Sequence, residues 1–132
     1  MSAKDYFELK YNCAESILKD NIKDANIAIA TPFGGGIART NHICGAITGG
    51  LLVIGLKEGR TNNSESQDGA QQLAGFLIEE FRDKFNETKC DCLTGCDLQT
   101  DEGKIKFEIP ERRKKCSEYV EFVDNFIKEN VI

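Results

Sequence analysis

The chain has 132 residues, 40% hydrophobic and 30% charged, with a formal net charge of -5 and a pI near 5.0. That length corresponds to a single domain, 1-132, large enough to close an apolar core, and the acidic balance argues against a nucleic-acid binder or docking on anionic lipid. The longest apolar run, residues 46 to 56, falls well short of the roughly 20 residues of a membrane span, and the absence of an apolar leader points to a reducing, cytoplasmic setting.

In chain order, Tyr6, Leu9, Cys13 and Ile17 recur at helical spacing, with Ala14 and Leu18 beside them. They predict a first helix from about Asp5 to Asp20 with Cys13 facing inward. Residues 22 to 30 read equally as a short helix or a short strand. Pro32 disfavours helical geometry at Thr31. The glycines Gly34, Gly35 and Gly36 then form a flexible corner that turns Phe33 inward and presents Cys44. Asn41 can cap a second helix with His42 and Cys44 in its first turn, running to about Leu56 and ended by Gly59. This helix is apolar nearly all round, which predicts a central, buried position. Gly45 with Gly49, and Ala46 with Gly50, are small-residue pairs that admit a close neighbour, from the same chain or from a second copy in a homodimer.

A polar loop follows, in which Ser64 and Gln67 have the spacing of a capping box. Ala70, Leu73, Ala74, Leu77, Ile78, Phe81 and Phe85 then mark the clearest amphipathic helix of the chain. Beyond it lies a loop with Cys90, Cys92 and Cys96, and an alternating stretch, KIKFEI, that reads as a short strand or an extended arm. Pro110 suits the first turn of a last helix, whose inner face carries Cys116, Tyr119, Val120, Val123, Phe126 and Ile127. The expected fold is all-α: a bundle of four main helices around a central Gly-rich helix, with a Cys-rich loop before the last.

Six cysteines are too many for structural disulfides in a reducing compartment. None forms a C-x-x-C pair, so neither a local zinc knuckle nor a covalent haem is expected. Cys44, at a helix start with Arg39 and His42 nearby, is expected to have a lowered thiol pKa. Taken alone, Cys13 and Cys116 suit core filler. Gly34, Gly35, Gly36 and Arg39 form a candidate anion cradle, although no Walker lysine follows. His42, the only histidine, suits a base, a ligand or an exposed helix-start residue.

These residues appear in a familiar order: NCA at Cys13, FGGGIAR at 33 to 39, CGAITGG from Cys44, CDCLTGCDL from Cys90, and a lone Cys116. The chain resembles the C_GCAxxG_C_C family of redox-active proteins, named for four cysteines and a Cys-Gly-Ala-x-x-Gly motif. The resemblance implies that the working cysteines are Cys13, Cys44, Cys90 and Cys116, with Cys92 and Cys96 as additional loop thiols. A related domain occurs in split-Soret cytochrome c, but the haem attachment motif is missing here. Three readings follow. The first is a thiol redox protein, a thiol–disulfide oxidoreductase or an electron carrier, with Cys44 as nucleophile, a cysteine from another element as resolving thiol, and an unknown redox partner. The second is an iron–sulfur or metal site of four thiolates from Cys13, Cys44, Cys90 and Cys116, with Cys92 or Cys96 as alternative loop ligands. The third is a non-catalytic helical module.

Overall fold

A computed structural model describes residues 1–132. It contains seven α-helices: α1 (Ala3–Glu8), α2 (Cys13–Asn21), α3 (Gly45–Glu58), α4 (Asp68–Phe85), α5 (Cys90–Thr94), α6 (Asp101–Phe107) and α7 (Pro110–Asn130). Two single 3-10 turns, Ile27–Ile29 and Thr31–Phe33, link α2 to the glycine corner. There is no strand; the one extended pairing is an isolated bridge between Ile43 and Lys89. The fold is all-α, as the periodicity predicts.

α3 is the central element, packed by α2, α4 and α7. Its N-terminal half, Gly45 to Gly50, is buried on every side. The glycines have identified neighbours. A Cβ on Gly49 would stand 2.9 Å from the Ala14 backbone of α2, and one on Gly50 would stand 2.8 Å from side-chain atoms of Leu77 and Val123. Close packing within one chain therefore occupies both glycines, and their argument for a homodimer lapses. The core continues through Ile17, Leu18, Ile47, Ile54, Leu77, Phe81, Val120, Val123 and Ile127. Burying each large aliphatic side chain contributes about 1.5–3 kcal/mol.

The predicted first helix is two helices. Asn12 caps α2 through its side chain to the Glu15 amide at 2.9 Å, and Glu15 returns a bond to the Asn12 amide at 2.9 Å. This capping box starts a new helix at Cys13. Lys10, at φ 77°, lies in the left-handed region and closes α1. The phase therefore shifts: Ala3 and Phe7 enter the core, and Leu9 is 60% exposed. Residues 22 to 30 contribute the first 3-10 turn and no strand.

Three other local expectations change. Ser64 and Gln67 form no capping box; the Asp68 amide is bonded by Ser66 Oγ, and α4 starts there. Residues 101 to 107, part of the alternating stretch included, are helical, because Thr100 caps the Gly103 amide at 2.9 Å. The predicted loop of three cysteines begins with the single turn of α5. Pro110 at the start of α7 and Gly59 at the end of α3 are where the sequence places them.

At the far end of α2, a polar clasp around the buried Asp124 joins α1, α2 and α7, the Ala3 amide of α1 donating to Asp124 at 3.5 Å. Asp124 accepts from Asn21 Nδ2 at 2.7 Å and from Lys128 Nζ at 2.9 Å, and Lys128 also pairs with Asp20.

Candidate functional site

Three of the cysteines stand where a helix begins. Cys13 is the first residue of α2, Cys44 is the cap residue of α3, and Cys90 is the first residue of α5. Cys116 lies in the second turn of α7. Together with Leu93, Thr94, Phe107 and Tyr119 these four line a single small cavity of about 10 Å³. Thiols more than 100 positions apart along the chain thus share one space, although all six cysteines are free.

The glycine corner builds one wall of this space. Gly35 and Gly36 adopt φ of 69° and 72°, and Ile37, Ala38 and Arg39 follow at 66°, 54° and 59°. Left-handed geometry costs roughly 1–2 kcal/mol for each of the three residues that carry a Cβ. Strain of this kind gathers at functional sites. The turn holds because its amides are bonded internally: Ile37 to Phe33 O, Ala38 to Pro32 O, Arg39 to Gly34 O. Those three amides are occupied, whereas the Gly35 and Gly36 amides make no backbone bond, and the Gly35 amide acts on the Cys13 thiol. Gly36 admits no side chain, since a Cβ would lie 2.7 Å from Cys90 Cβ and from the His42 backbone. Gly45, next to Cys44, has its Cβ position 3.1 Å from Cys13 Sγ.

Asn41 does not cap α3. At φ 67° its side chain donates to Asp97 at 2.8 Å and accepts from the Leu98 amide at 3.0 Å, tying the corner to the cysteine-rich segment. The Cys44 amide donates to Thr88 O at 2.8 Å, and the Cys90 amide to His42 O at 2.7 Å, which places the two cysteines side by side. The His42 imidazole is exposed and bonded to Thr40 Oγ1 at 2.7 Å; it lines neither cavity.

The thiols differ in access. Cys44, Cys90 and Cys116 are 4–6% exposed. Cys13 is half-buried, and besides the small cavity it lines an open cleft of about 660 Å³. Gly34 and Gly35, Arg39, Arg113, Lys10 and Lys104 are also on that cleft. Of the two additional loop thiols, Cys92 is exposed to solvent, and Cys96 is buried with its sulfur against Thr94 O at 3.5 Å. Neither lines the shared cavity.

The expected low pKa of Cys44 is not found. Burial, and then the neighbouring Cys13 thiol, push it well up; the Ala46 and Ile47 amides oppose this and are outweighed. Arg39 has gone to the cleft instead. Burial also pushes Cys90 up to about 12 and Cys116 higher still, with the other thiols adding to it. Cys13 is raised by burial too, but it has the most opposing groups: its own amide, the Gly35 amide, Arg113 and the Ala14 amide. A helix start can stabilise a thiolate, but here desolvation is the larger effect.

The matching family model covers residues 11–130 and carries the description "Putative redox-active protein (C_GCAxxG_C_C)". The chain belongs to the C_GCAxxG_C_C family. α1 lies outside the match, and every thiol of the shared cavity lies inside it. No curated protein and no solved structure matches the chain significantly.

Two contributors were missed in the sequence. Arg113 touches the cleft and stands three residues before Cys116 on α7, a spacing that puts both on one helix face. Tyr119 closes the cavity and anchors there by donating to Leu93 O at 2.8 Å.

No three His, Cys, Asp or Glu side chains stand at metal-binding spacing. The four sulfurs share a cavity without forming a ligand cage. No helix is long and apolar enough to cross a membrane.

Proposed function

We propose that the protein carries out thiol–disulfide exchange, with Cys13 as the thiol that meets the substrate and Cys44 as the thiol that resolves the adduct. One observation carries this reading: Cys13 alone among the four clustered cysteines lines both the open cleft and the closed cavity. Cys44 has the attacking role on sequence grounds, but it is buried and lines the small cavity without reaching the cleft. Family membership supports redox chemistry in general terms. Free thiols of this kind suit a reducing compartment such as the cytoplasm.

In the reducing direction, the Cys13 thiolate attacks one sulfur of an organic disulfide, R–S–S–R. A Cys13–S–S–R bond forms, and RS⁻ leaves and takes a proton. Cys44 then attacks Cys13 Sγ, forming the Cys13–Cys44 disulfide and expelling the second RS⁻. Two protein thiols lose two electrons, and the substrate gains them as two thiols. A dithiol reductant reverses the protein's change. Cys90 and Cys116 line the space around the pair and are themselves buried.

The test uses the reduced full chain, an organic disulfide, and mass analysis of intact protein and peptides. The expected product is two hydrogens lighter and joins the Cys13 and Cys44 peptides. Cys44→Ser should accumulate a mixed disulfide on Cys13. Unchanged oxidation in Cys13→Ser would reject the assignment.

A second reading, metal binding by Cys13, Cys44, Cys90 and Cys116, draws on the convergence of four thiols on one cavity. A volume of about 10 Å³ has room for one water-sized particle. That suits a single ion better than an iron–sulfur cluster, and binding would require the sulfurs to close up. Metal analysis after purification without oxygen tests it. This reading expects one ion per chain, lost equally from Ser variants at all four positions.

A further inference from the structure

The cleft above Cys13 is charged against the rest of the molecule. Its lining carries Lys10, Arg39, Lys104 and Arg113 with a single acid, Glu108, in a chain of net charge -5. Glu108 pairs with two of them, at 3.9 Å from Lys10 and 4.0 Å from Arg113, and one acid leaves the lining with an excess of positive charge. Arg39 and Lys104 have no acidic partner within 4.0 Å. Arg113 is held in place, with its guanidinium 4.4 Å from the Phe7 ring centroid and a donor 3.4 Å from Phe7 O. A volume of about 660 Å³ is the size of a small-molecule site. Concave sites lined by one sign of charge concentrate ligands of the opposite sign.

Resting on the thiol–disulfide reading, we propose that the substrate is a small anionic disulfide, whose substituents carry carboxylate or phosphate groups that dock on Arg39, Lys104, Lys10 and Arg113 beside Cys13. The electron balance is that of the exchange above. The bound disulfide is cleaved into two anionic thiols as Cys13 and Cys44 become a disulfide. Arg39 and Lys104, free of acidic partners, steer the substrate; Arg113, fixed in place and the cation that acts on the Cys13 thiol, orients it. The same charges favour release of an anionic thiolate from the scissile bond.

The chain contains its own control. Cys92 is exposed beside Asp91 and Glu87, with Lys89 the one opposing charge that acts on it. It should prefer a cationic disulfide where Cys13 prefers an anionic one. The reduced full chain is exposed briefly to limiting dithiodipropionate, which is anionic, or to cystamine, which is cationic and of similar length. Peptide mass mapping then counts all modification at Cys13 and at Cys92. At about 10 mM salt, the Cys13-to-Cys92 ratio should be at least about tenfold higher with the anionic reagent. That advantage should shrink severalfold at about 0.5 M salt, where charge is screened over a few ångströms. The Arg39→Gln, Lys104→Gln double variant should lose most of the preference and keep its reaction at Cys92.

Equal ratios with the two reagents, or a preference indifferent to salt and to the double variant, would overturn the substrate class while leaving thiol exchange intact. No modification of Cys13 by either reagent would overturn thiol exchange and this proposal with it.

Discussion

The two ends of α2 make opposite use of buried polarity. At its C-terminus, Asp20 and Asn21 meet Asp124 and Lys128, and every charge has a bonded partner. At its N-terminus, Cys13 meets three further thiols, a strained left-handed turn and an open cationic cleft. The clasp is satisfied and closes the fold. The thiol end keeps strain and reactive groups that stability alone does not require. Replacing a thiol at the N-terminal end should remove chemistry and leave folding largely intact, and replacing a clasp residue should do the reverse.

The largest expected effect on chemistry is at Cys13. Cys13→Ser should abolish the intramolecular disulfide, while thermal unfolding stays close to that of the parent; serine is nearly isosteric, and the site is half-buried. A large drop in melting temperature would make Cys13 core filler instead. Gly36→Ala should have the largest effect on stability. Its Cβ would meet Cys90 and the His42 backbone at 2.7 Å, and its φ is 72°. A loss of about 2–4 kcal/mol in denaturant unfolding is expected.

At the clasp, Asp124→Ala removes the acceptor of Asn21 and one partner of Lys128, and should cost about 1–3 kcal/mol. Disulfide formation at the other end of α2 should proceed at the parent rate. A parallel loss of exchange would show that the two ends are not independent.

Alkali should separate the ends further. Cys90 is raised from an ordinary thiol value near 9 to about 12 by burial first, then by Cys13 and other neighbours. The folded state holds this proton more tightly than the unfolded chain does. The stability it contributes is full below pH 9 and is lost as pH rises toward 12. Denaturant midpoints measured across that window should fall, and Cys90→Ser should flatten part of the fall. The smallest effect should come from Gly75→Ala on α4, where a Cβ meets nothing within 4 Å. It should stabilise by up to about 1 kcal/mol without touching either end.

The same contrast explains what the sequence made legible. α4 and α7 were readable because a long apolar stripe and Pro110 both report a helix whose packing follows its period. The break between α1 and α2 was hidden because Tyr6, Leu9, Cys13 and Ile17 continue the period across it. The signal that overrides them is local: Asn12 with Glu15 three residues on. Gly35 and Gly36 announced a corner, but nothing about Ile37 or Ala38 suggests a left-handed turn, which their side chains disfavour. The helical residues of the alternating stretch include lysines and an isoleucine that is 73% exposed, so their pattern faces no sheet.

Four cysteines were singled out by resemblance, and three of them stand at helix starts. Their shared cavity depends on how α2, α3 and α7 cross, which no local pattern encodes. The rank of the thiols was misread because a helix start was weighed without the burial that opposes it. Cys44 is at such a start and is sealed; Cys13 is at another and reaches the cleft.

The most direct measurement is the site of first attack in Cys44→Ser, where an adduct cannot be resolved by that residue. The reduced variant is mixed with a limiting organic disulfide, quenched in acid within seconds, and mapped by peptide mass. Among the four clustered positions, the early adduct should sit on Cys13. An early adduct on Cys90 or Cys116, with Cys13 unmodified, would contradict the account.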